Sequence, residues 1–470
     1  MTKSMTKTSF GPFILIFVVL CCGGVWAQTD TGAPDTTGPK PAYTYQDETP
    51  PTQPGPKPAY VYPDTTPSLD FLSESIENSS ITLGISTGVS YYSNAYASTT
   101  TNSDWWLFHV TPNIRIQQYF PEFSWNAGYS GGYQTYAYQS GQRNSNNNLF
   151  SQVANASFLW QMSPHWQLSA SDSFQHSANP FDSFLTIPGT PTMNNPNPIV
   201  YTPLTQYTLN RGQMTLTDQL TKVDTLSFNG TTNLRRTSTY NLVTSVPFYN
   251  LVSYGGRASY AHQLSPRLTL GAGYDYNSLD FGKGQQRSGV QTISATIDYL
   301  IRPNMTISGW IGPEYTMTKS VVVIPILGPI IRHDSLWSTA LGADFAWHTT
   351  RNSARASYNR QISDGSGLIA TSQVNSVTGD YRRMLTPKWD ATVGATFYHD
   401  VSTLTASRSF NNFYVNAALS YKISKSFVAV GSYGYTTLRQ SNSFLIGSSS
   451  YSANILSASI SYSWNHPLGR

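Results

Sequence analysis

From Ile81 onward, apolar and polar positions alternate with period two, the signature of strands with two unlike faces. Residues 81–91 place Ile81, Leu83, Ile85, Val89 and Tyr91 on one side and Thr82, Gly84, Ser86, Gly88 and Ser90 on the other. The end of the chain repeats the pattern. Ala458, Ile460, Tyr462 and Trp464 alternate with Ser457, Ser459, Ser461 and Ser463. A half-buried soluble sheet would carry Lys and Glu on its polar face. Here that face is Ser, Thr, Gly, Asn and Gln, which suits the interior of a barrel whose outer face meets lipid.

Short turns punctuate the pattern: SPHW at 163–166, SPRL at 265–268, RPNM at 302–305, TPKW at 386–389 and SKSF at 424–427. Proline at the second turn position pre-sets φ and has no amide to lose. Similar joins fall near Pro121, Asp224 and Arg351. Longer segments rich in Asn, Ser and Gly lie between them, such as 137–148 and 179–210. Short turns on one rim and long loops on the other is the asymmetry of outer-membrane barrels. One strand before the first loop, two for each hairpin across the eight short turns, and one closing strand make eighteen, with 16 or 20 as alternatives. An even count puts both ends of the barrel on the short-turn, periplasmic side. The fold class is therefore all-β: a transmembrane antiparallel β-barrel of 18 strands.

Composition supports this over a soluble core. Only 11% of residues are charged, yet mean hydropathy is −0.29. Aromatics reach 13%, enough for girdles at both membrane interfaces. The net charge of +4 is weak and dispersed, which excludes nucleic acid as a partner. No stretch approaches eighteen apolar residues, the minimum for a spanning helix.

The N-terminus has the form of a signal peptide over 1–27. Lys3 and Lys7 precede an apolar run at 13–22, and Val25-Trp26-Ala27 fits a small-residue cleavage rule. Both cysteines, Cys21 and Cys22, lie in it, so the remainder offers no disulfide, thiol catalyst or Cys-ligated metal. Residues 28–79 form a Pro/Thr-rich periplasmic linker with a duplication, GPKPAYTY from Gly38 and GPKPAYVY from Gly55. Proline at this density favours extended polyproline geometry. The segment is a spacer, or a tether to peptidoglycan or a periplasmic partner through Tyr43, Tyr45, Tyr60 and Tyr62. The barrel is expected over 80–464 and a tail over 465–470.

Alternation also nominates lumen-lining side chains. The basic and neutral candidates are His109, Arg115, Arg235, Arg257, Arg355 and Lys422; the acidic ones are Asp275, Asp298, Asp344 and Asp390. The signs are mixed, so strong ion selectivity is not expected. The plain alternative is that these charges pair across the lumen and hold the barrel in shape. Asp172 and Asp218 fall on the lipid-facing parity, which a bulge or a rim position would resolve. The apolar segment 321–331 is expected either to fold inward as a constriction, through Val321, Val322, Val323, Ile324, Ile326 and Leu327, or to stand above the membrane as a hairpin.

Catalytic chemistry is not expected. Gly84-Ile85-Ser86-Thr87-Gly88 matches G-x-S-x-G but lies within an alternating strand, not on a strand-turn-helix. The eight histidines are scattered without metal-ligand spacing. His399-Asp400 and His333-Asp334 are sequence neighbours, so on a strand they point to opposite faces. No metal and no cofactor is expected.

The signal, the linker, the hairpin periodicity, the S/T-P-x-W/L turns and the Ser-lined final strand resemble the poorly characterised β-barrel porins of the Gram-negative outer membrane, including barrels associated with exopolysaccharide systems. The resemblance is architectural and covers 80–464. It implies residence in outer-membrane lipid with lipopolysaccharide, and a homo-oligomer is compatible with it. It departs at the end: the family's terminal aromatic is replaced by Asn465–Arg470 after Trp464. The leading expectation is a pore for passive diffusion of small hydrophilic solutes. The alternatives are polysaccharide export and a structural envelope anchor.

Overall fold

A computed structural model describes residues 79–93, 104–138, 148–177, 205–239, 250–282, 284–324, 328–364, 370–403, 409–441 and 450–468. The expected signal, linker and duplicated GPKPAY lie outside them.

The described residues form eighteen strands and no helix. The first six are β1 (Ser80–Tyr92), β2 (Trp105–Tyr119), β3 (Phe123–Tyr138), β4 (Asn148–Gln161), β5 (Trp166–Ser177) and β6 (Thr205–Gln219). Next come β7 (Asp224–Thr239), β8 (Leu251–Ser265), β9 (Leu268–Phe281), β10 (Gln286–Arg302), β11 (Met305–Ile324) and β12 (Gly328–His348). The last are β13 (Asn352–Ser363), β14 (Ser372–Met384), β15 (Trp389–Ser402), β16 (Ser409–Lys422), β17 (Phe427–Ser441) and β18 (Ser450–Pro467). Each pairs antiparallel with its sequence neighbours, and β1 pairs with β18, so one sheet closes on itself. The count of eighteen expected from the turns is met.

Closure runs from Ser80↔Pro467 to Tyr92↔Ile455. The last strand thus continues past Trp464, where the barrel was expected to end. Ser80, Ile81 and Thr82 supply backbone partners for Pro467, His466 and Asn465.

In six of the eight short turns a hydroxyl opens the reversal. Ser163 Oγ accepts the amides of His165 and Trp166, and Thr386 Oγ1 accepts those of Lys388 and Trp389. Ser265, Ser424, Thr221 and Thr349 do the same two and three residues on. The hydroxyl satisfies amides that the tight reversal leaves without a ladder partner. Proline then fits at the second position of three of these turns.

Parity divides the wall as the alternation requires. Leu83, Ile85, Val110, Ile297, Ile311, Val393, Leu456 and Ile460 are exposed on the outer face. Aromatics flank this band. On the short-turn side, Phe120 stacks on Phe123, Trp389 lies 4.5 Å from Tyr421 and Phe427 lies 4.8 Å from Tyr462. On the long-loop side, Tyr91 lies 5.2 Å from Trp106 and Tyr315 lies 4.7 Å from Trp337.

At the short-turn rim, outside the apolar band, Asp224 gathers three donors. Thr221 Oγ1 and Tyr260 Oη each donate at 2.5 Å, and His262 Nδ1 lies at 2.7 Å. These bonds, led by Thr221, lower its pKa to about 2. A depressed carboxyl contributes stability above its unfolded pKa and loses it as pH falls through the folded value. The rim cluster therefore persists down to about pH 2. Carboxyl NMR of Asp224 in a Thr221→Val variant is expected to show the pKa rising toward the ordinary aspartate range. Replacing Ser163, Thr386 and Ser424 together by Ala is expected to lower the temperature at which the folded barrel band is lost on a semi-native gel, at about 0.5–1.5 kcal/mol per cap. Thr386→Ser is expected to be neutral.

Candidate lumen and its inward-folded segment

The inner wall is hydroxyl- and amide-rich because every second residue on each strand is small and polar. Ser86 and Ser461 meet at 3.1 Å, Asn229 donates to Thr215 at 2.7 Å, and Gln134 donates to Ser151 at 3.2 Å. Ser357 and Thr378 also hydrogen-bond across β13 and β14. These cross-strand pairs tie neighbouring strands on the face that water must wet.

The register places all ten nominated side chains on this inner parity. His109 stands opposite Gly88, Arg115 opposite Thr82, Asp298 opposite Ser308, and Lys422 opposite Val428. Three ion pairs form along the wall. Arg257 lies 3.7 Å from Asp275, Arg355 lies 3.7 Å from Asp344, and Arg382 lies 2.6 Å from Asp390. They join adjacent strands rather than opposite walls, so pairing across the lumen is not what these residues do. Asp380 and Arg382 on β14 and Glu314 on β11 share the inner parity and were not nominated. Reading β14 from Ser376 and Thr378 onward would have found the first two.

Position changes the picture of mixed charge. The inner parity of β9 to β15 carries Asp275, Asp298, Glu314, Asp334, Asp344, Asp380, Asp390 and Asp400, against Arg332, Arg355 and Arg382. Arg115 lies on β2, away from that wall, and Lys422 lies on β16 at its margin. Acids are gathered on one side.

One bridge does cross the lumen. Arg235 Nη1 lies 2.8 Å from Asp364 Oδ2, with both side chains only 3% exposed. Arg235 Nη2 reaches the Asp364 carbonyl at 3.4 Å. Arg235 is on β7, and Asp364 follows β13, six strands away around the barrel. Thr371, at the other end of the same connection, bonds Gln286 at 2.9 Å and Ser288 at 2.8 Å, both on β10. Between these anchors Ile362 and Ala370 pack with Leu251, Leu279, Phe281 and Val290 in a buried cluster. The described ends of the β13–β14 connection, Asp364 and Ala370–Thr371, thus lie inward against the β7–β10 wall.

The ladder explains how it gets there. β12 and β13 share only eight pairs, Leu341–His348 with Ser353–Arg360, the fewest of any neighbours. Beyond them β13 leaves β12. Both oxygens of the Glu314 carboxylate accept the Ile362 amide at 3.1 Å, and Ser338 Oγ donates to it at 2.7 Å. A carboxylate from β11 thus replaces the missing strand partner, and Ala340 of β12 is fully buried.

The apolar 321–331 segment behaves differently. It continues the β11–β12 ladder from Val321↔Ile331 to Ile324↔Gly328, passing through Val322 and Val323. Val321, Ile330 and Ile331 are exposed. Ile326 and Leu327 lie outside the described residues.

Buried inner-parity side chains at the long-loop end include apolar ones, Tyr92, Trp105 and Leu107, Tyr207 and Leu209, Phe410, Leu438 and Ile455, and polar ones, Ser90, Gln134, Asn412 and Thr436. Apolar and polar side chains together pack that end of the lumen. The catalytic candidates separate as expected from alternation. His399 faces outward and bonds Asn411 at 2.6 Å, while Asp400 is buried on the inner face. Asp334 is held by Arg332 at 2.8 Å rather than by His333.

Residues 325–468 match the model of a family described as "Putative MetA-pathway of phenol degradation". No curated protein matches the chain. Among solved structures, it is similar to OccAB4 of Acinetobacter baumannii, with 10% identity and a TM-score of 0.41 over 83% of this chain and 99% of that one. It is similar to the outer membrane protein OpdK of Pseudomonas aeruginosa, with 10% identity and a TM-score of 0.40 over 83% of this chain and 100% of that one. It is also similar to the FrpB iron transporter of Neisseria meningitidis, with 8% identity and a TM-score of 0.43 over 84% of this chain and 82% of that one.

Removing one partner of a buried ion pair strands the other charge, at about 3–5 kcal/mol. Arg235→Ala and Asp364→Ala are each expected to lower the thermal midpoint of the purified barrel and to expose the 362–372 segment to chymotrypsin. Arg235→Leu with Asp364→Leu is expected to recover much of the midpoint.

Proposed function

We propose that the chain is an outer-membrane pore for passive diffusion of small hydrophilic solutes, narrowed at its outer end by the inward-folded β13–β14 connection. The observation that carries this is the closed eighteen-strand ladder with an apolar outer belt and a polar inner wall. In lipid, a backbone must satisfy its own polar groups, and a sheet without edges does so. Eighteen strands enclose more volume than their own side chains fill. In this reading residues 1–27 direct export, 28–79 lie in the periplasm, and lipopolysaccharide surrounds the outer rim.

The packed outer end limits solute size. A polymer would have to displace Ile362 and Ala370 from the β8–β10 wall along its whole passage, whereas a small solute needs only a gap beside them. The acid-rich wall favours cations, since charges facing a narrow aqueous path act at short range.

Planar-bilayer recording tests both points. Expected are small unitary currents, a reversal potential on the cation-selective side under a salt gradient, and larger currents for Arg235→Ala. Absence of conductance together with absence of solute-driven swelling in proteoliposomes would overturn the pore reading.

A further inference from the structure

Every strand of the sheet has two neighbours, but their ladders differ in reach. β12 pairs with β11 as far as Gly328 and with β13 only as far as Leu341. Among the described residues, Gly328–Ala340 therefore has a ladder on one flank alone. Tyr315 and Trp337 mark the outer girdle, so this bare flank starts near the outer interface and rises above it. There water can reach its amides and carbonyls, which the hydrocarbon core would not allow. A row of such groups is a template for one more strand.

The phase of the hydrogen bonds fixes what would fit there. The His348 amide donates to Asn304, just before β11, and the Thr349 amide donates to Asn352 across the β12–β13 turn. Amides alternate along a strand, so even-numbered residues of β12 bond β11 and odd-numbered ones face β13. Bonded pairs with β13 then recur every two residues, and the last is Leu341 with Arg360. The next in the same register is Thr339 with Ile362, and after it Trp337 with Asp364. Instead the Ile362 amide takes the Glu314 carboxylate, which stands opposite Ser338, beside Thr339. The inward seat of this segment is imperfect. Arg235 Nε, Asp364 Oδ1, Ser363 Oγ and Ser372 Oγ are buried there without a hydrogen-bond partner. Each has lost water without a replacement, which weakens the seat against one that leaves these atoms hydrated.

We propose that the end of β13, Ile362–Asp364, has a second seat on the bare flank of β12, and that moving to it widens the passage. In that seat Thr339 and Ile362 exchange backbone bonds, and so do Trp337 and Asp364. The widening rests on the pore reading; the second seat does not. Leaving the lumen separates Asp364 from Arg235 and takes Ile362 out of the cluster with Leu251, Leu279, Phe281 and Val290. It also draws Thr371 away from Gln286 and Ser288, because Ser363 and Ser372 stay paired between β13 and β14. Glu314 loses the Ile362 amide, keeps the Ser338 hydroxyl and turns to the water of the lumen. The two seats are closely matched. The attraction within a buried ion pair is largely offset by the hydration it loses, and one acceptor for the Ile362 amide replaces another.

Disulfide trapping in native outer membranes tests this, in a background with Cys21→Ser and Cys22→Ser. Thr339 is exposed on the outer face while Ile362 is buried in the lumen, so Thr339→Cys with Ile362→Cys links only when β13 lies on β12. A bonded pair sets its Cα atoms about 5.5 Å apart, within the span of a disulfide. Expected is linkage in folded barrels, rising several-fold when Glu314→Leu is added. Trp337→Cys with Ile362→Cys is out of register and is expected to link little. Ser288→Cys with Thr371→Cys joins positions whose hydroxyls lie 2.8 Å apart. Oxidised, it is expected to hold the low conductance level until dithiothreitol is added. Absence of the Thr339→Cys/Ile362→Cys link in the heat-modifiable folded band overturns the proposal, and so does equal linkage of the out-of-register pair. A linked barrel whose unitary conductance is no higher than that of the reduced one overturns the widening. Linkage is read on a gel, so a barrel that links but carries no current refutes the pore and leaves the second seat standing.

Discussion

An open sheet edge leaves backbone amides and carbonyls without partners, and the removal of such edges organises this chain. Each strand is bonded on both flanks, and the sheet has no free edge because β1 takes β18 as its second neighbour. Once the sheet closes, parity follows: every second side chain faces outward and the others an enclosed space. The serines of β18 and the isoleucines and tyrosines between them are two solutions to two solvents on one strand.

Where the ladder is broken, something else supplies the missing bond. β13 departs from β12 after eight pairs, and Glu314 takes over as acceptor for the Ile362 amide. Asp364, just past the end of β13, reaches Arg235. The break in the ladder, the buried carboxylate and the inward Arg235–Asp364 bridge are one structural event. The 321–331 hairpin, more conspicuous by composition, follows the ladder to its described end and so stays with the wall.

Strand number, rim asymmetry and inner parity were legible in the sequence because they are local. Ser163-Pro164 and Thr386-Pro387 announce turns within four residues, and Ile81 to Tyr91 announces two faces within eleven. Inner-wall candidates such as Arg257 and Asp275 followed from the same period. Their partners did not, because pairing depends on register between strands. The inward connection was invisible for a stronger reason. Asp364-Gly365-Ser366-Gly367 has the composition of any exposed loop, and its meaning lies in Arg235, 129 residues earlier. Asp172 was noticed as an exception, but only the unbroken β5–β6 register showed that it remains one.

The seventeen ladders between consecutive strands and the one that closes the sheet differ in when they can form. A hairpin across Ser163 or Thr386 needs only the residues beside it, so its loop entropy is small. The closing ladder joins Thr82 to Asn465, 383 residues apart. Its ends meet only after the intervening strands have been laid down, and the entropy of bringing them together grows with the logarithm of that length. Until then β1 and β18 are both open edges, able to pair with foreign strands. The small, hydroxyl-rich inner face of that seam, Ser86 against Ser461 and Gly88 against Ser459, offers little to hold a half-formed sheet. Assembly of this barrel therefore carries its kinetic risk at one seam, and the time spent unclosed, more than the stability of the finished wall, sets its exposure to aggregation.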